Sequence, residues 1–215
     1  MCAALLISAT TALAGNDLSL KDITSGKFAP KGIGSITALD DGETYAQVSK
    51  DGKKVVRYSF RTGKQTDVLF DVNNTIGQKI ESFEDYIMSP DGTKMLIQTN
   101  SHKIYRRSFT ADFYIYTIAS RKLEKLSDNG AQQTPVWSPD GKQIAFVRDN
   151  NIFLVKLLYD NAESQVTKDG KKNELINGIP DWVNEEEFGF NTAMTFNGDG
   201  SMTVSYTHLR AHETD

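Results

Sequence analysis

Two stretches of this 215-residue chain carry charged side chains whose types and spacing could hold a charged ligand. The first runs Asn177-Gly-Ile-Pro-Asp-Trp-Val-Asn-Glu-Glu-Glu-Phe-Gly-Phe-Asn191. Asp181 is of the type that caps a helix N-terminus, so Glu185, Glu186 and Glu187 are expected in a short helical turn behind it. Trp182, Phe188 and Phe190 are expected to anchor that turn against the rest of the fold. By itself an acidic run is more often a solvated loop. The second stretch, His102-Lys-Ile-Tyr-Arg-Arg-Ser-Phe-Thr-Ala-Asp-Phe113, reads as a connection longer than a hairpin needs. Arg106 or Arg107 could project from it, although a lone exposed arginine needs no function.

Other chemistries find no residues to carry them. There is no G-x-S-x-G elbow, and His102 has no obvious pair of serine and carboxylate partners around it, so nucleophilic acyl transfer is not encoded in this stretch. No glycine-rich phosphate loop and no cluster of metal ligands occurs, so no cofactor and no metal is expected. His208 and His212 stand four apart with Glu213 behind them, the spacing at which a helix presents two imidazoles to a metal. The HExxH order is absent, and a metal there is not expected. A net charge of -4 argues against a nucleic-acid partner.

The elements that must position the two charged stretches come from a repeat. One unit appears as Tyr86-Ile-Met-Ser-Pro-Asp-Gly-Thr-Lys-Met-Leu-Ile-Gln-Thr99 and again as Val136-Trp-Ser-Pro-Asp-Gly-Lys-Gln-Ile-Ala-Phe-Val-Arg148. Worn copies lie at Ala38–Val48 and Thr195–Val204. The turn glycines Gly42, Gly92 and Gly141 recur at about 50 residues, within the range of propeller blades. Pro90 and Pro139 pre-set a turn and cannot donate to a ladder. Asp-Gly then supplies the residue with positive φ that a hairpin needs. Alternating runs follow each hairpin, as in Phe113–Ile118 and Ile152–Val155, so each unit holds four strands. The expected fold is all-β, a partial β-propeller of roughly three to four four-stranded blades with no α/β-hydrolase domain in this stretch. A β-sandwich is the alternative, and the fixed period favours the propeller. Such an arc leaves raw strand edges. The ring is therefore expected to close with blades outside this stretch, or the arc is not a stable unit.

The two ends read differently. Residues 1–14, with the apolar run Cys2–Ala14 and the small-x-small step Ala12-Leu13-Ala14, are expected to be an export signal that has lost its basic start. Cys2 is the lone cysteine, so a mature form would hold no disulfide. The propeller is expected over 15–203. Residues 204–215 resemble the translated read-through of a sequencing adaptor. They are expected to be foreign to the fold and without packing partners.

Taken together, Arg106-Arg-Ser-Phe-Thr-Ala111 before Tyr114-Ile-Tyr116, then Asn177-Gly-Ile-Pro-Asp-Trp-Val183, then Glu185-Glu-Glu-Phe188, resemble the dipeptidyl-peptidase IV branch of the prolyl oligopeptidase-type serine peptidases. The resemblance covers roughly residues 20 to 200. It implies an eight-bladed propeller capping an α/β-hydrolase domain that carries the catalytic Ser, Asp and His outside this stretch. It implies that Glu186 and Glu187 hold the substrate's N-terminal ammonium and that Arg106 meets the carbonyl oxygen of its first peptide bond. The family usually has tyrosine where this chain has Asn184. The implied partners are peptide N-termini, from which X-Pro or X-Ala dipeptides are released, and the protein's own C-terminal hydrolase domain. Family members often dimerise, mostly through other regions. The implied location is the periplasm or cell surface, and this stretch by itself is expected to be inactive. The chemistry suits the residue types. Charge-assisted hydrogen bonds are stronger than neutral ones, and a substrate lacking the ammonium would leave two partly desolvated carboxylates unpaired. Adjacent carboxylates repel, and Arg106 would help keep both ionised. The rival reading is a non-enzymatic exported propeller, a binding or scaffold module that shares the repeats but needs no glutamate pair.

Overall fold

The computed structural model describes residues 19–29 and 34–209. The expected export segment, His212 and Glu213 lie outside the described residues. The chain divides into two compact units, residues 1–34 and 35–215. In the first, a short helix α1 (Leu20–Thr24) starts at Ser19, whose side chain accepts the Asp22 N–H. Lys27 closes onto the Asp22 carboxylate at 2.9 Å.

The second unit is built almost wholly of strands. Its first blade is β1 (Thr37–Ala38), β2 (Thr44–Val48), β3 (Lys54–Ser59) and β4 (Gln65–Asp71), hydrogen-bonded in that order. A short β5 (Ile76–Gly77) follows. The second blade is β6 (Asp85–Met88), β7 (Lys94–Lys103), β8 (Phe109–Thr117) and β9 (Lys122–Lys125), with β5 added parallel to β9 at its edge. The third blade is β10 (Gln133–Trp137), β11 (Gln143–Arg148), β12 (Asn151–Lys156) and β13 (Ala162–Gln165). Beyond it come β14 (Leu175–Asn177), helix α2 (Trp182–Phe188), and the hairpin of β15 (Met194–Phe196) with β16 (Thr203–Ser205). Last is β17 (Thr207–Leu209), antiparallel to β14. Among the described residues this is the expected partial β-propeller: three full blades and the first hairpin of a fourth.

The repeated turn works as its residue types require. Ser89 donates to Asp91 Oδ1 at 2.6 Å and accepts the Lys94 N–H at 2.9 Å. Ser138, Asp140 and Gln143 repeat the arrangement at the same distances. Gly92 and Gly141 both sit at φ 66°, a conformation open to glycine at little cost. A further copy, Ser49 to Gly52, joins β2 to β3, with Lys50 standing where the two full copies have Pro90 and Pro139.

The blades are held together by strand alternation, since successive side chains point to opposite faces. On β7, Met95 and Ile97 pack with Ala46, Val55 and Phe70 of the first blade. Leu96, between them, packs with Trp137, Ile144 and Phe146 of the third. On β11 the same division sends Ala145 and Val147 toward Met194 and Phe196 of the next hairpin. Each inner strand thus serves two clusters.

The C-terminal stretch departs from expectation in one respect. Val204 and Ser205 lie in β16, and β17 pairs Leu209 with Leu175 and Thr207 with Asn177. The edge of β14 supplies ladder partners for residues 207–209, whose short run carries no strand pattern of its own.

Candidate functional site

The arginines sit on a ribbon. Strands β7 and β8 have ten and nine residues, whereas their neighbours β6 and β9 have four each. The pair therefore runs on beyond the blade, with His102 opposite Thr110 and Lys103 opposite Phe109. Most of the expected long connection is ladder, re-aimed by a bulge after Thr99 where Asn100 takes φ 52°. The turn itself spans 104–108, closed by the Ile104 N–H donating to the Ser108 carbonyl at 2.9 Å. Arg106 and Arg107 are at its tip.

The glutamates sit on α2, as expected. Asp181 caps the helix, accepting the Asn184 N–H at 2.8 Å and the Asn184 side-chain amide at 3.1 Å. Gly189 ends it at φ 75°. His208 of β17 lies 3.2 Å from the same Asp181 carboxylate.

The expected apolar anchors do not bury. Trp182, Phe188 and Phe190 are all exposed, Phe188 by 72%. What faces α2 is the ribbon tip, and the tip presents backbone donors rather than apolar surface. A buried N–H needs an acceptor, and Glu185 provides it. Only 3% exposed, it accepts the Arg107 N–H at 2.7 Å and the Ser108 N–H at 2.9 Å through one carboxylate oxygen. Burial pushes the Glu185 carboxyl upward. The two N–H donors and the Arg107 charge outweigh that and hold it below the usual glutamate value. Two further contacts join the same elements. The Asn191 side chain donates to the Arg107 carbonyl at 3.1 Å. The Arg107 guanidinium packs against Gly189, where a Cβ would come within 3.3 Å of it.

The next residue along on each element forms the charged pair. Arg106 Nε lies 3.3 Å from Glu186 Oε2, with the arginine side chain 73% exposed and the glutamate 19%. Glu187 follows on the exposed side of the helix. The structure thus brings together Arg106 and Glu186, with Glu187 adjacent in sequence. A cleft of about 730 Å³ opens nearby, walled by Tyr105, Ser108, Arg148, Lys171, Trp182 and Glu185, but none of the three expected ligand residues lines it.

Glu185 and Asn191 were not singled out by the sequence. The available signal was helical phase. A residue four after the cap Asp181 returns to within about 40° of the cap's face, while Glu186 and Glu187 are turned about 100° and 200° on from Glu185.

Chemically, the arrangement offers carboxylates on consecutive residues beside a guanidinium: acceptors for an ammonium and a donor for a carbonyl oxygen. A family model described as dipeptidyl peptidase IV (DPP IV) N-terminal region matches residues 89–215. A probable dipeptidyl-aminopeptidase B of Emericella nidulans is 36% identical over 87% of this chain and 22% of its own length. The human prolyl endopeptidase FAP is 34% identical over 79% of this chain and 21% of its own. The crystal structure of Porphyromonas gingivalis dipeptidyl peptidase 4 superposes with a TM-score of 0.81 at 37% identity, covering 86% of this chain and 27% of that one. The chain therefore spans about a fifth to a quarter of the length of the proteins it matches. It belongs to the dipeptidyl peptidase IV N-terminal region family.

Proposed function

We propose that this chain is the substrate-recognising propeller of an exported serine peptidase that releases X-Pro or X-Ala dipeptides from peptide N-termini. The observation that carries this reading is the Arg106–Glu186 pair, held between two elements with Glu187 beside it. Glu186 and Glu187 take the substrate's ammonium. Arg106 turns from Glu186 to the carbonyl oxygen of the first peptide bond. Carboxylates at a fixed distance from a nucleophile measure off two residues, which is what dipeptide release requires. The nucleophile and its Asp and His partners belong to an α/β-hydrolase domain in the remainder of the protein. Export is supported by the apolar Cys2–Ala14 run and its small-x-small end.

The pair is suited to a ligand rather than to stability. An exposed ion pair contributes about 0–1 kcal/mol to folding. A charged contact desolvated by a bound substrate is worth more, and removing one partner costs about 2–4 kcal/mol, roughly 30- to 1,000-fold.

The test is kinetic, on the full-length protein. A free-amine X-Pro chromogenic amide and its N-acetylated form are compared, in wild type and in Glu186→Ala. Acetylation is expected to lower kcat/KM at least about 30-fold in wild type, and Glu186→Ala is expected to remove most of that preference. Equal turnover of both substrates by the wild type would reject the ammonium role.

A further inference from the structure

We infer that Glu185 is a positioning residue: its buried carboxylate ties the arginine ribbon to the glutamate helix and so sets the placement of Arg106 against Glu186. The inference rests on the proposed role of those two side chains.

Neither element fixes its own position. Helix α2 has seven residues, too few to persist in isolation, and its large apolar side chains are exposed rather than packed. The ribbon tip lies past the ends of the strands that flank β7 and β8. Between these two elements, Glu185 is the buried contact, bridging residues 77 and 78 positions apart in sequence.

The placement is direct. Glu186 follows the acceptor by one residue, and Arg106 precedes the first donor, the Arg107 N–H, by one. The other ties reinforce the same junction. Asn191 holds the Arg107 carbonyl, and the Arg107 side chain lies on Gly189. Each element therefore carries a holding residue next to a ligand residue. Glu185 and Arg107 are engaged with each other's element. Arg106 and Glu186 are left for the substrate.

The run of three glutamates then divides by task. The first is buried and already engaged by two backbone donors through one oxygen, so it holds the ribbon rather than an ammonium. Charge-assisted bonds from backbone N–H groups to a carboxylate are short and directional, which suits a fixed spacer. The site asks for such a spacer, since misplacing a binding group by about 1 Å can cost about 100-fold.

The experiment uses the full-length protein with Glu185→Ala, Glu185→Gln, Glu186→Ala and the double variant Glu185→Ala/Glu186→Ala, assayed on a free-amine X-Pro amide, with circular dichroism as the check on folding. Glu185→Ala is expected to lower kcat/KM about tenfold or more, mostly through KM. Glu185→Gln keeps an oxygen that accepts both N–H bonds and is expected to recover activity to within about threefold of wild type. In the double variant the two losses are expected to fall at least about threefold short of multiplying, because coupled residues are non-additive. If Glu185→Ala does not fold, Glu185→Asp, one methylene too short to reach both donors, carries the same expectation. Wild-type kinetics in Glu185→Ala beside an impaired Glu186→Ala would overturn this inference alone, as would independent, multiplying effects in the double variant. An unimpaired Glu186→Ala would overturn the reading of the site and this inference with it.

Discussion

A buried carboxylate that accepts two backbone N–H bonds stabilises the fold most when it is ionised, and Glu185 is placed to be so. Burial works against the ion, yet the Arg107 and Ser108 donors hold its pKa below the ordinary glutamate value of 4.5. The sign follows from linkage. The native state binds the proton less readily than the unfolded chain. The contribution is therefore complete above the unfolded value, near pH 4.5, and is lost as pH falls through the native one. Hydrogen bonds to a charged group contribute about 1.5–3 kcal/mol each way they are broken, large enough to see in a melting curve. Thermal midpoints measured from pH 7 down to pH 3 are expected to fall more steeply for wild type than for Glu185→Gln below about pH 4.5. Other carboxylates with lowered pKa, such as Asp91 and Glu163, titrate in both proteins and cancel in the comparison. Parallel curves would show that Glu185 is not ionised against the ribbon. Arg106 belongs to the opposite category: its side chain is mostly exposed, so its contact with Glu186 adds little to stability and leaves the guanidinium free to change partner.

Among the elements, the turns were the most legible. Ser-Pro-Asp-Gly announces its own hydrogen bonds and its own positive φ, and Gly92 and Gly141 adopt the same value. The copy at Ser49–Gly52 was hidden because Lys50 replaces the proline, although serine, aspartate and glycine do the same work there. The ribbon was hidden for a different reason. Gln98 to Lys103 are all polar, and a strand without apolar residues has no alternation to reveal it. On α2 the cap was legible in Asp181, but the inward glutamate was not, because three identical side chains differ only in phase. The aromatic residues misled for a related reason. Apolar side chains bury only where apolar surface faces them, and the ribbon tip offers N–H donors. Since α2 is short, its ends matter. Asp181 makes two hydrogen bonds to Asn184 at its first turn. Asp181→Ala is expected to cost about 1 kcal/mol of stability, the usual worth of an N-cap. It is also expected to speed amide exchange at Asn184 more than in β11 or β12, as local opening would. Hydrogen exchange read residue by residue checks it, and uniform acceleration along the chain would mean that the cap is not local to α2.

At the scale of the whole strand-built unit, the site is assembled across two blades. Arg106 comes from the ribbon of the second blade, and α2 follows the third. The cluster between those blades therefore lies behind the Arg106–Glu186 spacing. It contains Phe113, Leu126, Trp137, Phe146 and Phe153, with the Phe146 and Phe153 rings stacked at 5.6 Å. Arg148 reinforces it, lying 4.0 Å over Phe153, pairing with Glu163 at 2.6 Å and donating to Ser127 from the second-blade side at 2.8 Å. The cluster between the first and second blades, with Phe70 against Tyr116, is of similar chemistry but lies on the face of β7 and β8 turned from the third blade, which α2 follows. In an array whose units touch only their neighbours, damage at one interface stays largely at that interface. Phe146 and Phe70 are almost fully buried, at 0% and 1% exposure, so Phe146→Ala and Phe70→Ala are each expected to cost about 3–5 kcal/mol. Their effects on substrate binding should separate. In full-length protein kept folded at low temperature, Phe146→Ala is expected to raise KM for a free-amine X-Pro amide several-fold, while Phe70→Ala leaves it within about twofold of wild type. Denaturant midpoints and KM measured on the same preparations decide the matter. Matched losses of stability with matched shifts in KM would mean that the site senses the fold as a whole, and that the interface between the second and third blades has no special hold on it.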